Sequence, residues 1–192
     1  LNWIINAYKN TVERFTDATF PQEPYEQLVG AIEAVFNSWQ NKRAVTYRKI
    51  NNIPDAWGTG ATVQTMVFGN LNDKSGTGVA FTRNPSNGDK ELYGEYLINA
   101  QGEDVVAGIR TPHPIKKNKN VEQESLESKF PKAYKEILEI STKLENHFKE
   151  VQDIEFTIEN EDIYLLQTRK AKRTAQASVK IAIDMQNEGV VT

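Results

Sequence analysis

The sequence predicts an α+β fold in which a mainly antiparallel sheet is flanked by helices. Two observations carry this reading. Apolar residues recur at helical spacing near both ends of the chain and again after its middle, while the segments between alternate with a period of two. Those alternating segments follow one another through tight turns, which join antiparallel strands and are too short for parallel crossovers. A sheet of at least five strands follows, with helices over residues 2–16, 23–39, 131–150 and 174–188.

Leu1, Ile5, Tyr8, Val12 and Phe15 form one apolar stripe and define the first helix. Pro24 suits the first turn of the second, where Tyr25, Leu28, Val29, Ile32, Val35, Phe36 and Trp39 trace a single face. Trp3 and Trp39 belong to or border these stripes and are expected in the core. The period then shifts to two, so Ala44–Lys49 and Thr62–Gly69 are expected as strands on either side of the turn-rich connector 51–58. Ser75–Pro85 reads as a glycine-rich turn opening into a strand over Val79–Arg83. A turn at Asn84–Gly88 and a strand over Glu91–Asn99 come next.

Gln101–Gly108 is a second corner bracketed by glycine, carrying Glu103 and Asp104. Lys116–Lys129 is polar and mixed in charge, an exposed mobile loop whose lysines form a solvated face. Pro131 opens the third helix, with Tyr134, Ile137, Leu138, Ser141, Leu144, Phe148 and Val151 facing inward. His147 beside that stripe reads as a partly buried structural residue, and His113, between two prolines, as a rigid loop residue. Thr174 caps a final helix that Gly189 ends. The chain therefore divides into a helical segment over residues 1–40, a sheet with a glycine-rich loop over 41–110, an exposed loop over 111–130, and a helix, hairpin and terminal helix over 131–192.

Composition narrows the chemistry. The 192 residues carry a formal charge of −3, so no basic field points to nucleic acid. The absence of cysteine excludes disulfides, thiolate metal sites and cysteine nucleophiles. No apolar run approaches the roughly 20 residues of a membrane helix. The start inside a helical pattern, without methionine, suggests a piece of a longer protein.

Two segments could carry chemistry. Gly76 and Gly78 around Thr77 could bring backbone N–H groups and a hydroxyl to a phosphate, although the same pattern suits a plain hairpin turn. In Gln152–Ile158, alternation places Asp153, Glu155 and Thr157 on one face and Ile154, Phe156 and Ile158 on the other. Pairing with Ile163–Arg169 through a three-residue loop, 160–162, sets Glu155 opposite Gln167 and Asp153 opposite Arg169. Two carboxylates, an amide and a guanidinium then share one sheet face. Such a face either holds a metal and phosphate or is a solvated surface with one cross-strand ion pair.

The stretches Val63–Asn70, Ser75–Pro85, Tyr93–Gly108 and Leu165–Arg169 together resemble the pyruvate, phosphate dikinases, in order and through nearly the whole chain. The resemblance implies the C-terminal portion of an ATP-grasp nucleotide-binding domain, an ATP-grasp-like lobe. It implies a transferase that passes a pyrophosphoryl group from Mg-ATP to a histidine on a separate swivelling domain. A third, TIM-barrel domain then handles pyruvate and phosphoenolpyruvate. Mg²⁺ and a monovalent cation would be the cofactors, and the location cytoplasmic, or plastidic in a plant. Neither His113 nor His147 inherits the role of the phosphohistidine.

By the same resemblance Arg169 and Glu155 would be catalytic, with Glu155 and Gln167 facing the metal. Thr77, Gly76 and Gly78 would hold phosphate oxygens, Glu103 and Asp104 would face the nucleoside, and Asp153 would support Glu155 and Gln167 or orient Arg169. The lobe alone is expected to be inactive and to bind ATP weakly. The alternatives are the corresponding lobe of phosphoenolpyruvate synthase or of glucan, water dikinase, and, from another class, a non-catalytic docking module.

Overall fold

The computed structural model describes residues 1–108, 110–117 and 124–192, with only the backbone of Val106. They fall into two compact units, Leu1–Thr65 and Met66–Thr192.

The first unit is helical. α1 spans Asn2–Thr16 and α2 spans Pro24–Ser38, close to the expected bounds, with Pro24 in the first turn of α2. No residue of either helix is buried within the unit, and Trp3 is 79% exposed rather than in a core. Residues 44–49, expected as a strand, lie in a third helix, α3, over Lys42–Ile50. Their alternation covers only six residues, too few to decide between periods against a local anchor. That anchor is Arg48, 3% exposed, which stacks 3.9 Å from the centroid of the half-buried Trp39 ring and donates to Asp55 at 2.6 Å. Backbone bonds from Val45 N to Asn41 O and from Asn51 N to Tyr47 O close the helix at its two ends.

Residues 58–68 have no regular structure, so the expected strand at 62–69 is absent. An alternating pattern becomes a strand only where it pairs with another strand, and residues 62–69 join none of the strands of the described sheet.

That sheet organises the second unit. Its strands are β1 (Gly76–Phe81), β2 (Tyr93–Ile98), β3 (His113–Pro114), β4 (Gln152–Glu159) and β5 (Asp162–Lys170). Every described pairing is antiparallel and the spatial order is β3-β2-β1-β4-β5, which bears out the α+β expectation. β3 was not foreseen. It takes in His113, which pairs with Tyr96 and is no loop residue.

Two short helices, α4 (Gly102–Ala107) and α5 (Leu126–Lys129), replace a corner and part of the expected loop. Within that loop Ser125 and Leu126 are buried, because Leu126 joins the core while Ser125 caps α5. Residues 118–123 of the expected loop lie outside the described residues. The two long helices are α6 (Pro131–Phe148) and α7 (Ala175–Asn187), the latter capped by Thr174 Oγ1 accepting from Ala177 N at 3.1 Å.

One sheet face is the core. Ala80, Tyr96, Phe156 and Ile158 meet Ala133 and Ile137 of α6, with Ile115, Leu126 and Phe130 closing the sides. The buried row of α6 is Ala133, Ile137, Ser141 and Glu145, a strict four-residue repeat. The expected stripe is therefore rotated: Leu138, Phe148 and His147 are exposed. A second cluster packs Ala177, Ile181 and Met185 of α7 against Val151 and Ala171.

A charged group sits between these clusters. Arg83, fully buried, donates to Glu145 of α6 and to Glu188 at the end of α7, with Nη2–O distances of 2.9 and 2.8 Å. Thr82 Oγ1 donates to Glu145 at 2.6 Å. A buried guanidinium is tolerable because each of its edges meets a carboxylate.

Candidate functional site

β1 lies at the centre of the sheet, so its neighbours decide what shares its outer face. Val79 pairs with Glu95 of β2 and with Glu155 of β4, and Thr77 pairs with Leu97 and Thr157. Strand alternation places Thr77, Val79, Glu95, Asp153, Glu155 and Thr157 on the face away from the core. α4 packs over β1 and β2 on this side. Between helix and sheet lies a cavity of about 500 Å³, whose walls include Thr77, Glu103, Val105, Glu155, Leu166 and Arg169.

β5 brings its residues to the same face through a register that differs from the expected one near its tip. The turn has two residues, Asn160 and Glu161, not three. Both have positive φ, 51° and 74°. The strain at Glu161 is held by bonds to the preceding loop: Glu161 N donates to Lys74 O at 2.9 Å and Asn160 N to Ser75 Oγ at 3.2 Å. From that turn Ile158 pairs with Ile163, Thr157 with Tyr164 and Phe156 with Leu165.

A bulge follows in which Leu166 is the extra residue, and beyond it Glu155 faces Gln167 and Asp153 faces Arg169. The shorter turn and the added residue cancel. The pairs Glu155–Gln167 and Asp153–Arg169 match expectation, but Ile163, not Tyr164, packs on the core, and Leu166 enters the cavity wall.

Arg169 Nε donates to Asp153 Oδ2 at 2.7 Å, and its Nη2 lies 3.7 Å from Glu155 Oε1. The Asp153 side chain is 11% exposed and that of Arg169 58%. The buried acid thus holds one edge of a guanidinium whose other edge is turned to solvent. The hydrogen bond that Arg169 donates to Asp153, then the charge of that acid, raises the Arg169 pKa and keeps the group cationic. The side chains of Glu155 and Gln167 make no hydrogen bond among the described residues, Glu155 meeting only the 3.7 Å ion pair with Arg169, so their oxygens can take a ligand. No group of three acidic or histidine ligands occurs among the described residues. One carboxylate and one amide oxygen instead suit a divalent ion that completes its shell with phosphate and water.

The other expected residues are less open. Thr77 is 3% exposed and donates to Phe156 O at 3.1 Å. Gly76 and Gly78 do not form a turn. They lie inside β1, where a Cβ on Gly78 would come 2.6 Å from Glu95 O and 2.6 Å from Phe156 Cζ. Close strand and ring packing, not turn geometry, is what requires glycine there. Glu103 lines the cavity, whereas Asp104 accepts from Gln101 N at 2.8 Å and closes the capping box of α4. Glu95 was not singled out from the sequence. Its even spacing from Tyr93 and Leu97 along a strand is the signal that could have found it.

Comparison with known proteins decides the family. Residues 15–136 and 116–190 match the family described as pyruvate phosphate dikinase, AMP/ATP-binding domain. The chain belongs to that family. It is 57% identical over 180 residues to pyruvate, phosphate dikinase of Clostridium symbiosum, covering 94% of this chain and 20% of that protein. It is 54% identical to the pyruvate, phosphate dikinase of Rhizobium meliloti, over 98% of this chain and 22% of the relative. It is also 51% identical to pyruvate, phosphate dikinase 2 of Zea mays, over 100% of this chain and 21% of the relative. The chain therefore spans about a fifth of the length of the curated relatives it matches. No helix among the described residues is long and apolar enough to cross a membrane.

Proposed function

We propose that this chain is the ATP-binding portion of a pyruvate, phosphate dikinase, a transferase interconverting ATP, phosphate and pyruvate with AMP, pyrophosphate and phosphoenolpyruvate. Family membership supports the nucleotide. The row Asp153–Arg169 and Glu155–Gln167 beside a cavity is the observation that carries the chemistry.

Glu155 and Gln167 offer the oxygen ligands for Mg²⁺, which when bound offsets phosphate charge. Arg169 meets negative charge that grows on the transferring group, and its fixed position spares the cost of reorienting it during the step. Asp153 orients Arg169 from below. Thr77 reaches a phosphate oxygen if its hydroxyl turns from the Phe156 carbonyl. Gly76 and Gly78 set the depth of the cavity floor by letting the strands close up. Glu103, with Asp104 fixing the start of α4, faces the nucleoside.

The acceptor histidine belongs to a swivelling domain and the pyruvate chemistry to a TIM barrel, both in the same polypeptide, with a monovalent cation as a further cofactor. The location is cytoplasmic, or plastidic in a plant. That reading draws on a Mesembryanthemum crystallinum relative, 49% identical, named pyruvate, phosphate dikinase, chloroplastic.

The test is to make Glu155→Ala and Arg169→Ala in the full-length enzyme. Each should remove about 3 kcal/mol of transition-state stabilisation, a loss of about 10²-fold or more in ATP-dependent phosphorylation of the carrier histidine. Exchange of pyruvate with phosphoenolpyruvate, on another domain, should be untouched. Normal phosphorylation in both variants would remove this face from consideration as the active site.

A further inference from the structure

On the core side of the sheet, away from the nucleotide face, a second cavity of about 320 Å³ is walled in part by Thr82, Lys90, Ser141, Glu145 and Glu188. Glu188 is oddly placed for a carboxylate. It is the C-cap of α7, where the helix dipole presents negative partial charge and disfavours an acid. What holds it is a set of three donors. Arg83 Nη1 reaches Glu188 Oε1 at 3.1 Å, Arg83 Nη2 reaches Oε2 at 2.8 Å, and Lys90 Nζ reaches Oε2 at 2.8 Å.

A planar, two-pronged guanidinium contact completed by an ammonium is how a protein recognises a free carboxylate or phosphate. Arg83 is fully buried behind the cavity wall, whereas Glu188, whose side chain is 26% exposed, lines the cavity with Glu145, so the two carboxylates stand between the cavity and the guanidinium. The backbone of Glu188 is anchored separately, through its N–H to Asp184 O at 2.9 Å. Withdrawing the side chain would therefore loosen the last turn of α7 without unfolding the helix. The remaining charged groups on the cavity wall are already matched: Glu145 binds the other edge of Arg83, and Lys116 pairs with Glu91 at 3.0 Å. Without Glu188 the site holds two cations against one carboxylate, a deficit of one negative charge.

We propose that Arg83 and Lys90 form a small-oxyanion site whose resident occupant is the tethered carboxylate of Glu188, and that an external carboxylate or phosphate takes its place when the tether is withdrawn. Arg83, then Lys90, hold the Glu188 acid down at about 2, as expected for a carboxylate seated in a binding site.

Chemical rescue tests this in the intact protein, in an Arg169→Ala background so that the nucleotide face cannot answer for it. Glu188→Ala opens the space. Hydrogen exchange of peptides covering residues 175–192 should rise at least tenfold, and acetate or formate should restore protection along a saturable curve, with chloride at equal ionic strength ineffective. Inorganic phosphate forms a parallel arm: restoration by acetate alone identifies a carboxylate site, and restoration by both a general oxyanion site. Glu188→Gln, which keeps the bulk and loses the charge, should resist rescue. If Glu188→Ala does not fold, Glu188→Ser, which also removes the charge and opens the space, replaces it and must show the same anion dependence. Unchanged exchange in Glu188→Ala, or equal recovery in chloride, overturns the proposal.

Discussion

Asp153 and Arg169 show how burial assigns roles within an ion pair. The acid is nearly enclosed and the base largely exposed, so in the proposed function the acid would act on substrate only through the arginine. Asp153→Asn, which keeps the size and loses the charge, should therefore lower histidine phosphorylation less than Arg169→Ala. The double variant should fall short of the sum of the two single losses, with a coupling of about 0.5–3 kcal/mol. Single-turnover kinetics on the full-length enzyme would measure this. Additive losses would mean that the two residues act independently.

Gly78 makes the opposite point, since its importance lies in the space it leaves. Gly78→Ala would force a methyl into Phe156 and the Glu95 carbonyl, costing about 1–3 kcal/mol of stability. Urea unfolding with and without nucleotide should show the same loss. A loss that vanishes when nucleotide is bound would contradict the packing argument.

At the scale of elements, the hairpin explains what was legible in the sequence. The alternation of Asp153, Glu155 and Thr157 against Ile154, Phe156 and Ile158 is a property of one strand, and it holds in the structure. The cross-strand pairs also hold, but through a two-residue turn and a bulge that no local pattern announces. The turn depends on Lys74 and Ser75, far away in the chain. Residues 44–49 failed for a related reason, because the stacking of Arg48 on Trp39 and its bond to Asp55 lie outside the window in which periodicity is counted. Glu95 was visible in principle and Leu166 was not.

Two deletions separate the parts played by β5. Deleting Leu166 removes the bulge and leaves Gln167 and Arg169 facing Glu155 and Asp153, so histidine phosphorylation should persist at a reduced level. Deleting Thr168 instead shifts Arg169 to the core-side parity of the strand and should abolish phosphorylation. Activity in the second variant equal to that in the first would rule out this register.

For the whole molecule, two carboxylates tie acid stability to the ends of the long helices. Glu150 lies at about 2: burial alone would raise it, but hydrogen bonds from Arg173 and Lys170 prevail. Glu188 lies at about 2 as well. Both are depressed below the ordinary value of 4.5. Between about pH 4.5 and 2 the unfolded chain therefore binds more protons than the folded one. The stabilisation is fully present above that window and is lost as pH falls through it. The urea midpoint should drop between pH 5 and pH 3, and Glu150→Gln should reduce the drop. A midpoint independent of pH over this range would contradict the ion pairs.

The bulge at Leu166 also governs how the molecule behaves among its own copies. β5 is a nine-residue edge strand of the described sheet, long enough to template pairing with another chain. A bulge twists such an edge and interrupts its row of free backbone groups, while the charges of Arg169 and Lys170 discourage a second strand from docking. Straightening β5 by deleting Leu166 would give a flatter, more adhesive border, so that variant should self-associate as its concentration is raised. The residue that lines the cavity wall would then also keep neighbouring molecules apart.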